Sequence, residues 1–322
     1  MSEYTNDSAY HRPVMLAQCL AALDLQPDGR YVDVTFGGGG HSARILEKLT
    51  TGHLYSFDQD ADAEVEAHQL VRPQFTFIKA NFRDLTAELQ ALDALPVDGL
   101  LADLGVSSHQ FDTPERGFSI RFDGPLDMRM NPDGPLTAAD ILNDYKEADL
   151  HRIFGMYGEV TNARTLAATI GVSRRGRRLE TITELKKAIQ PCTPRGKENK
   201  YLAQVFQALR IEVNQEMQSL QEMLLQTAEV LRPGGRLVVM SYHSLEDRLV
   251  KNFIAKGKFF GNGEKDFFGN ESKPFEAVNR KPEEADADEV AVNSRARSAK
   301  LRVAIRNKQY AACHGRVYLF NC

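Results

Sequence analysis

The sequence predicts an α/β fold, a doubly wound and mostly parallel sheet of seven strands with an all-helical subdomain inserted between strands four and five. Three observations lead there. The β-branched and aromatic run Tyr31-Val-Asp-Val-Thr-Phe36 is followed by four glycines and then by Ser42-Ala-Arg-Ile-Leu-Glu-Lys-Leu49, whose apolar residues recur at helical spacing. Strand, glycine turn and helix form the opening unit of a nucleotide-binding sheet. Strand and helix patterns then alternate through Asp103, which makes the sheet parallel with helices on both faces. Finally, residues 137–229 read as helix throughout before a strand pattern returns.

Taken in order, residues 1–10 read as disordered, and His11-Arg-Pro-Val-Met15 leads into a helix from Leu16 to Leu23. Gly37 and Gly39 fit the dinucleotide pattern G-x-G-x-x-G, but Ser42 stands where its third glycine belongs. No Gly-Lys-Ser/Thr follows the turn, which excludes a phosphate loop of that type. The second strand, Gly52 to Asp60, ends in acid, and Asp58 is placed to accept hydrogen bonds from the hydroxyls of an adenosine ribose. NAD and S-adenosylmethionine satisfy that equally. The third strand, Gln74 to Phe82, ends in Asn81-Phe82, a pair suited to holding an adenine, and the fourth, Val97 to Gly105, ends in Asp103. Helices over 60–71 and 85–95 connect them. Gly105 to Pro135 is rich in Gly, Pro, Asp and Ser without apolar periodicity and reads as a long functional loop.

Helices then follow over 137–142, 148–154, 162–170 and 183–189, with a long one over 199–228 that is expected to be kinked or broken. Leu231-Arg-Pro-Gly-Gly-Arg-Leu-Val-Val-Met-Ser241 is a helix end, a tight turn and the fifth strand. A helix over 244–256, a Gly-, Asn- and Phe-rich stretch over 257–273 expected to be mobile, and strands six and seven at 274–278 and 301–305 complete the reading, the last two as an antiparallel pair. No pattern emerges in 307–322. The domain boundaries expected are 1–111 and 211–322 for the sheet and 112–210 for the helical insertion. Ligands bind such sheets at the carboxyl ends of the strands, so an insertion leaving from that rim is expected to overhang the cofactor.

Composition narrows the function. No apolar run is long enough to span a membrane, and the N-terminus lacks the basic start and apolar core of a signal peptide. Cys19, Cys192, Cys313 and Cys322 have neither disulfide nor metal-ligand spacing, so reduced thiols, a cytoplasmic location and no metal are expected. The net charge of −4 is uneven: Gly171–Lys200 holds nine Lys/Arg against three Glu, a local +6. Arg174, Arg175, Arg177, Arg178, Arg195 and Lys197 within it are candidate phosphate contacts. Arg295–Arg306 is a second run, with five cations and no acid. Two solvated faces would explain both runs as well.

The glycine turn, Asp58, Asn81-Phe82, Asp103 and the Pro233-Gly-Gly turn together resemble the Rossmann-like class I S-adenosylmethionine-dependent methyltransferases more than dehydrogenases. Three polar blocks sharpen this: Asp103-Leu-Gly-Val-Ser-Ser-His-Gln110, Arg116-Gly-Phe-Ser-Ile-Arg-Phe-Asp-Gly-Pro-Leu-Asp-Met-Arg-Met130 and Ser241-Tyr-His-Ser-Leu-Glu-Asp-Arg248. With Thr35–Ser42 they are similar, from about His11 to Arg306, to the family that methylates the exocyclic N4 of a cytidine in small-subunit 16S-type ribosomal RNA. The resemblance implies S-adenosylmethionine as cofactor. It implies Gly39, Gly40 and His41 at the methionine part, Asp58 at the ribose, Phe82 at the adenine, and Asp103 and Gln110 as polar contacts. It also implies a target in the decoding region and the small ribosomal subunit as partner. Nothing in the sequence calls for an obligate protein partner. Gly38 and Ser294 stand where that family varies, and the tail after Arg306 lacks a familiar pattern.

For the chemistry, Asp103 is either a cofactor contact or the acceptor that draws a proton from the amine. Ser241, His243 and Asp127 are the other candidates, with a merely hydrogen-bonded loop histidine the competing reading of His243. Phe118, Phe122 and Tyr242 are candidates to stack on an extruded base or, equally, local core. Three alternatives stay open: an amino-methyltransferase acting on DNA, disfavoured because Asp103-Leu-Gly-Val replaces its usual Pro-Pro-aromatic motif; a ribosome-assembly factor with a vestigial cofactor site; and a dehydrogenase, disfavoured by Ser42 and the Pro233-Gly-Gly turn.

Overall fold

The computed structural model describes residues 13–261, 263 and 273–310. The expected disordered start at 1–10, Cys313 and Cys322, residues 262 and 264–272 of the stretch expected to be mobile, and the tail from 311 lie outside the described residues.

The strands are β1 (Arg30–Asp33), β2 (His53–Asp58), β3 (Phe75–Lys79), β4 (Val97–Asp103), β5 (Leu231–Ser241), β6 (Phe275–Ala277), β7 (Glu283–Glu284) and β8 (Lys300–Arg306). They form one sheet in the order β3-β2-β1-β4-β5-β8-β6, with β7 also on β8. Neighbours from β3 to β5 run parallel, whereas β8 is antiparallel to β5, β6 and β7. The sheet therefore has eight strands among the described residues where the sequence predicts seven. The extra one is the two-residue Glu283-Glu284, which carries no apolar pattern to read. The Pro233-Gly-Gly turn is not a connection before β5. It is a bulge within it, because Val97 pairs with Leu231 and Gly99 with Arg236, so residues 232–235 loop out against Asp98. Gly234, at φ +83°, makes that excursion possible.

The helices are α1 (Leu16–Leu23), α2 (Gly40–Leu46), α3 (Ala61–Ala67), α4 (Leu85–Ala91), α5 (Ser108–Asp112), α6 (Ala138–Asp144), α7 (Glu147–Met156), α8 (Ala163–Ser173), α9 (Ile182–Ile189), α10 (Glu198–Asn214), α11 (Glu216–Val230), α12 (Ser244–Lys256) and α13 (Ala287–Val292). The helix expected over 199–228 is broken at Gln215, whose φ of +49° ends α10 before α11 begins. The sequence reading missed α5, although Ser107-x-x-Gln110 is a capping-box pattern that the structure uses.

Contacts divide the described residues into two compact units, one formed within 1–58, 68–105 and 220–322, the other from 59–67 and 106–219. The second is wider than the 112–210 span expected for the insertion, since α3, α5 and all of α10 belong to it. In the first unit Tyr31, Ile45, Leu54, Leu101, Val238, Met240 and Leu301 pack with Met15 and Leu23 of the α1 region. The helical unit has its own core, in which Leu150, Ile153 and Phe154 of α7 meet Leu166 and Ile170 of α8 and Val205 and Leu209 of α10. Burial of these apolar faces is what stabilises helices too short to persist alone. Phe154 is fully buried. Phe154→Ala should lower stability by about 3–5 kcal/mol in urea denaturation; a loss under about 1 kcal/mol would contradict this packing.

Candidate active site at the carboxyl ends of the strands

The glycine turn after β1 is fastened from below by a buried carboxylate. Asp33 Oδ1 accepts the Thr35 backbone N–H at 3.1 Å, and Oδ2 accepts the Ser42 hydroxyl at 2.7 Å. Ser42 Oγ also lies 2.8 Å from Ser56 Oγ on β2. Burial raises the Asp33 carboxyl above its ordinary range, and the nearby His41 and the bonds from Ser42 and Thr35 pull it partly back. This is the reason a serine stands where a dinucleotide site has its third glycine. The hydroxyl ties α2 to β1 and β2.

The glycines divide their work. Gly39 has φ +76°, and a Cβ there would stand 2.7 Å from the Phe36 ring. A Cβ on Gly40 would collide with Pro13. Both are therefore required by packing. Gly38, by contrast, has open space where a Cβ would project. Asp58, at the end of β2, accepts the Gly37 N–H at Oδ2 at 2.8 Å, so the residue expected at the ribose also holds the turn. Phe82 is half-buried in a short 3-10 turn capped by Asn81.

Asp103 ends β4. Its N–H donates to Thr35 Oγ1 at 2.7 Å, its Oδ1 accepts the Tyr242 hydroxyl at 2.7 Å, and its Oδ2 lies 3.7 Å from His41 Nδ1. The side chain keeps 24% of its surface exposed. Burial pushes its carboxyl up to about 6, against the lowering influence of His41 and the Tyr242 hydrogen bond. A carboxyl that titrates just below neutrality and touches solvent is suited to accept a proton at neutral pH. The structure thus brings Asp103, His41 and Tyr242 together, a grouping with no sequence signal beyond strand ends. Tyr242, which the sequence offers either for stacking on a base or as local core, spends its hydroxyl on Asp103.

The other candidates have partners of their own. Ser241 is buried at the end of β5, its hydroxyl 3.5 Å from the Lys300 carbonyl. His243 is the N-cap of α12: its Nδ1 accepts from the Glu246 N–H at 3.5 Å, and Glu246 Oε2 accepts the Tyr242 and His243 N–H groups at 2.8 and 3.4 Å. Its Nε2 is 3.0 Å from Glu246 Oε1, outside the angular range of a hydrogen bond. In the helical unit, Gln110 is buried, donates to Asp60 Oδ2 at 2.7 Å and closes the Ser107 capping box. Asp127 is engaged by Arg129 at 2.7 and 2.9 Å. Phe118 is core and unavailable to a base, whereas Phe122 is 41% exposed with the Arg121 guanidinium 5.7 Å from its ring.

The basic segment separates similarly. Arg174 donates to the carbonyls of Leu142 and Tyr145 at 2.7 and 2.6 Å, which ties α8 to the end of α6. Arg177 pairs with Glu184, and Arg178 with Asp144. Arg175, Arg195 and Lys197 are exposed, together with Lys187 and Lys200, and none of the five has a carboxylate partner among the described residues. Two of the five cations of the second basic run are structural: Arg302 is buried against Asp247 at 2.6 and 3.2 Å, and Arg306 is buried on the Ala228 carbonyl at 2.7 Å, whereas Arg297 is exposed.

The raised Asp103 carboxyl makes stability depend on pH. Below about 4 it is protonated in folded and unfolded chains alike. From there to about 6 the unfolded chain releases this proton while the folded one keeps it, so stability falls as pH rises, and the full cost is present above about 6. Denaturation across that range should show Asp103→Asn gaining on the wild type by up to about 3 kcal/mol as pH rises. Parallel curves would contradict the assignment.

Residues 8–307 match the family described as the MraW methylase family. A Cytophaga hutchinsonii protein described as ribosomal RNA small subunit methyltransferase H is 56% identical over 297 residues, 92% of this chain and 99% of that relative. The same description belongs to a Parabacteroides distasonis protein, 56% identical over 92% of this chain and 98% of its own length. Among solved structures, an rRNA methylase from Streptococcus thermophilus aligns with a TM-score of 0.40 at 12% identity over 92% of this chain and 98% of its own. The chain belongs to the MraW methylase family and is an S-adenosylmethionine-dependent methyltransferase.

Proposed function

We propose that this chain transfers a methyl group to the exocyclic N4 of a cytidine in the decoding region of 16S ribosomal RNA, acting in the cytoplasm on the small ribosomal subunit. The observation that carries this reading is the 56% identity, over 99% of the relative's length, to a protein described as ribosomal RNA small subunit methyltransferase H. The strand-end geometry supports it.

The residues at the rim fit S-adenosylmethionine. Asp58 supplies a carboxylate for ribose hydroxyls at the end of β2, Phe82 an apolar neighbour for the adenine, and the open face of Gly38 a place where a ligand meets backbone without a Cβ. Gly39, Gly40 and His41 shape the turn beside it. The bound cofactor supplies an activated methyl on a sulfonium, so the chain's task is alignment and removal of a proton. The lone pair of the cytosine amine is delocalised into its ring, which makes it a poor nucleophile. Asp103 accepts a hydrogen bond from the amine, favours its pyramidal form and takes its proton. With a carboxyl near 6 it is mostly ionised at pH 7 yet basic enough to do so. Ser241 and His243 support the strand end and helix cap instead.

Cytosine N4 is hidden in helical RNA, so the base must be single-stranded or turned out. Within the helical unit, exposed Phe122 with the Arg121 guanidinium 5.7 Å from its ring is a surface suited to stacking on an unpaired base of the RNA. Arg175, Arg195 and Lys197 contact phosphates, while Arg174, Arg177 and Arg178 organise the helical unit.

Two outcomes are expected. Labelled methyl from S-adenosylmethionine should enter small subunits lacking the modification, in preference to naked RNA or duplex DNA, and nucleoside analysis should yield N4-methylcytidine. Label in DNA, or in another nucleoside, would overturn the reading. Changing Arg175, Arg195 and Lys197 to Glu should weaken subunit binding, flatten its salt dependence by about one unit of slope per lost contact, and leave cofactor affinity intact. An unchanged salt slope would remove these residues from the interface.

A further inference from the structure

We infer that Tyr242 is a positioning residue whose phenol holds Asp103 Oδ1, leaving Oδ2 as the oxygen that receives the amine proton. The inference rests on the role proposed for Asp103.

Strand register places the phenol. Asp103 lies beside Met240 across the parallel β4–β5 pair, and Tyr242 is two residues beyond Met240, so its side chain leaves the same face. Gly105, at φ +98°, turns the chain in a conformation that favours glycine, and the Tyr242 ring packs beside it, a Cβ built there standing in ordinary contact at 3.6 Å from Cδ2. The hydroxyl then reaches Oδ1 at 2.7 Å. Burial and the neighbouring Asp103 carboxylate raise the phenol well above its ordinary range, so it stays protonated and keeps donating while Asp103 changes state.

The second oxygen differs. Its neighbour is His41 Nδ1 at 3.7 Å, and His41 Nε2 lies 3.2 Å from the Val14 carbonyl. At that distance Nδ1 lies beyond hydrogen-bond reach of Oδ2, while Nε2 is turned to the carbonyl. Among the described residues Oδ1 thus accepts a hydrogen bond from a neutral donor and Oδ2 accepts none. When the methylated nitrogen bears positive charge, its N–H bond breaks, the electron pair stays on N4, and the proton joins Oδ2 to give a neutral carboxyl that later loses it to water. The other titratable groups around Asp103 are Asp33 and Glu246, which raise it, with His41 opposing them; Cys19 sits nearby as a buried thiol.

The test compares wild type with Tyr242→Phe and with a protein carrying 3-fluorotyrosine at 242. Two quantities are measured: the Asp103 carboxyl titration by 13C NMR in the free enzyme, and the pH dependence of single-turnover methyl transfer to small subunits. Removing the phenol should raise the Asp103 titration by about one pH unit and move the acid limb of the rate profile equally, with activity recovering at higher pH. The fluorinated phenol, a stronger donor, should move both in the opposite direction, and it keeps the ring should Phe fold poorly. A rate lowered equally at every pH, with the titration unmoved, would make Tyr242 merely structural and overturn the inference. A shifted titration with an unmoved limb would instead show that Asp103 does not take the proton, and both readings would fall.

Discussion

Asp103 stands at the carboxyl end of a central strand with one oxygen on a phenol and the other facing an imidazole, and much of the surrounding architecture serves to keep it there. Its backbone N–H is held by Thr35 of the glycine turn, its Oδ1 by Tyr242 beyond the end of β5. These two contacts come from the strands on either side of β4 in the sheet order. A parallel sheet that ends its strands in register is what allows three strand ends to converge on one carboxylate. Burial then does the chemical tuning, because solvent lost around the charge weakens its ionised form and brings its titration near neutrality.

A second carboxylate, Asp33, does a different job one strand away. It is almost fully buried and satisfied by Thr35 and Ser42, so it is a fastener and not a reactive group. Thr35 links the two, accepting from the Asp103 N–H while its own N–H donates to Asp33. The turn that leads into the helix carrying His41 is thereby fixed to the strand that carries Asp103. Two acids with opposite fates, one spent on structure and one left partly open to solvent, follow from which of them finds enough donors inside the fold.

The sheet was legible because its strands are short apolar runs that end in turn residues, and periodicity reports burial directly. The carboxyl-end acids followed from the strand ends themselves. What periodicity could not report was side-chain partnership across the fold. Nothing in Ser241-Tyr-His-Ser announces that Tyr242 reaches Asp103, or that His243 and Glu246 form a helix cap. The basic run was visible as charge, but whether a guanidinium meets solvent or a carbonyl depends on the packing of α6 against α8, so Arg174 and Arg175 read alike in sequence and differ in the structure. The two-residue β7 and the five-residue α5 were missed for a simpler reason. They are too short to show a period, and only the capping pattern at Ser107 marked the second.

The central claim is that Asp103 must be ionised for methyl transfer. Single-turnover rates on small subunits, measured from pH 5 to 8 with saturating S-adenosylmethionine, test it most directly. The account predicts a rate that rises through about pH 6 in the wild type and a rate lower by about 10²-fold or more, without that rise, in Asp103→Asn. A profile flat across pH 6 in the wild type, or an Asn variant that retains both rate and rise, would contradict it.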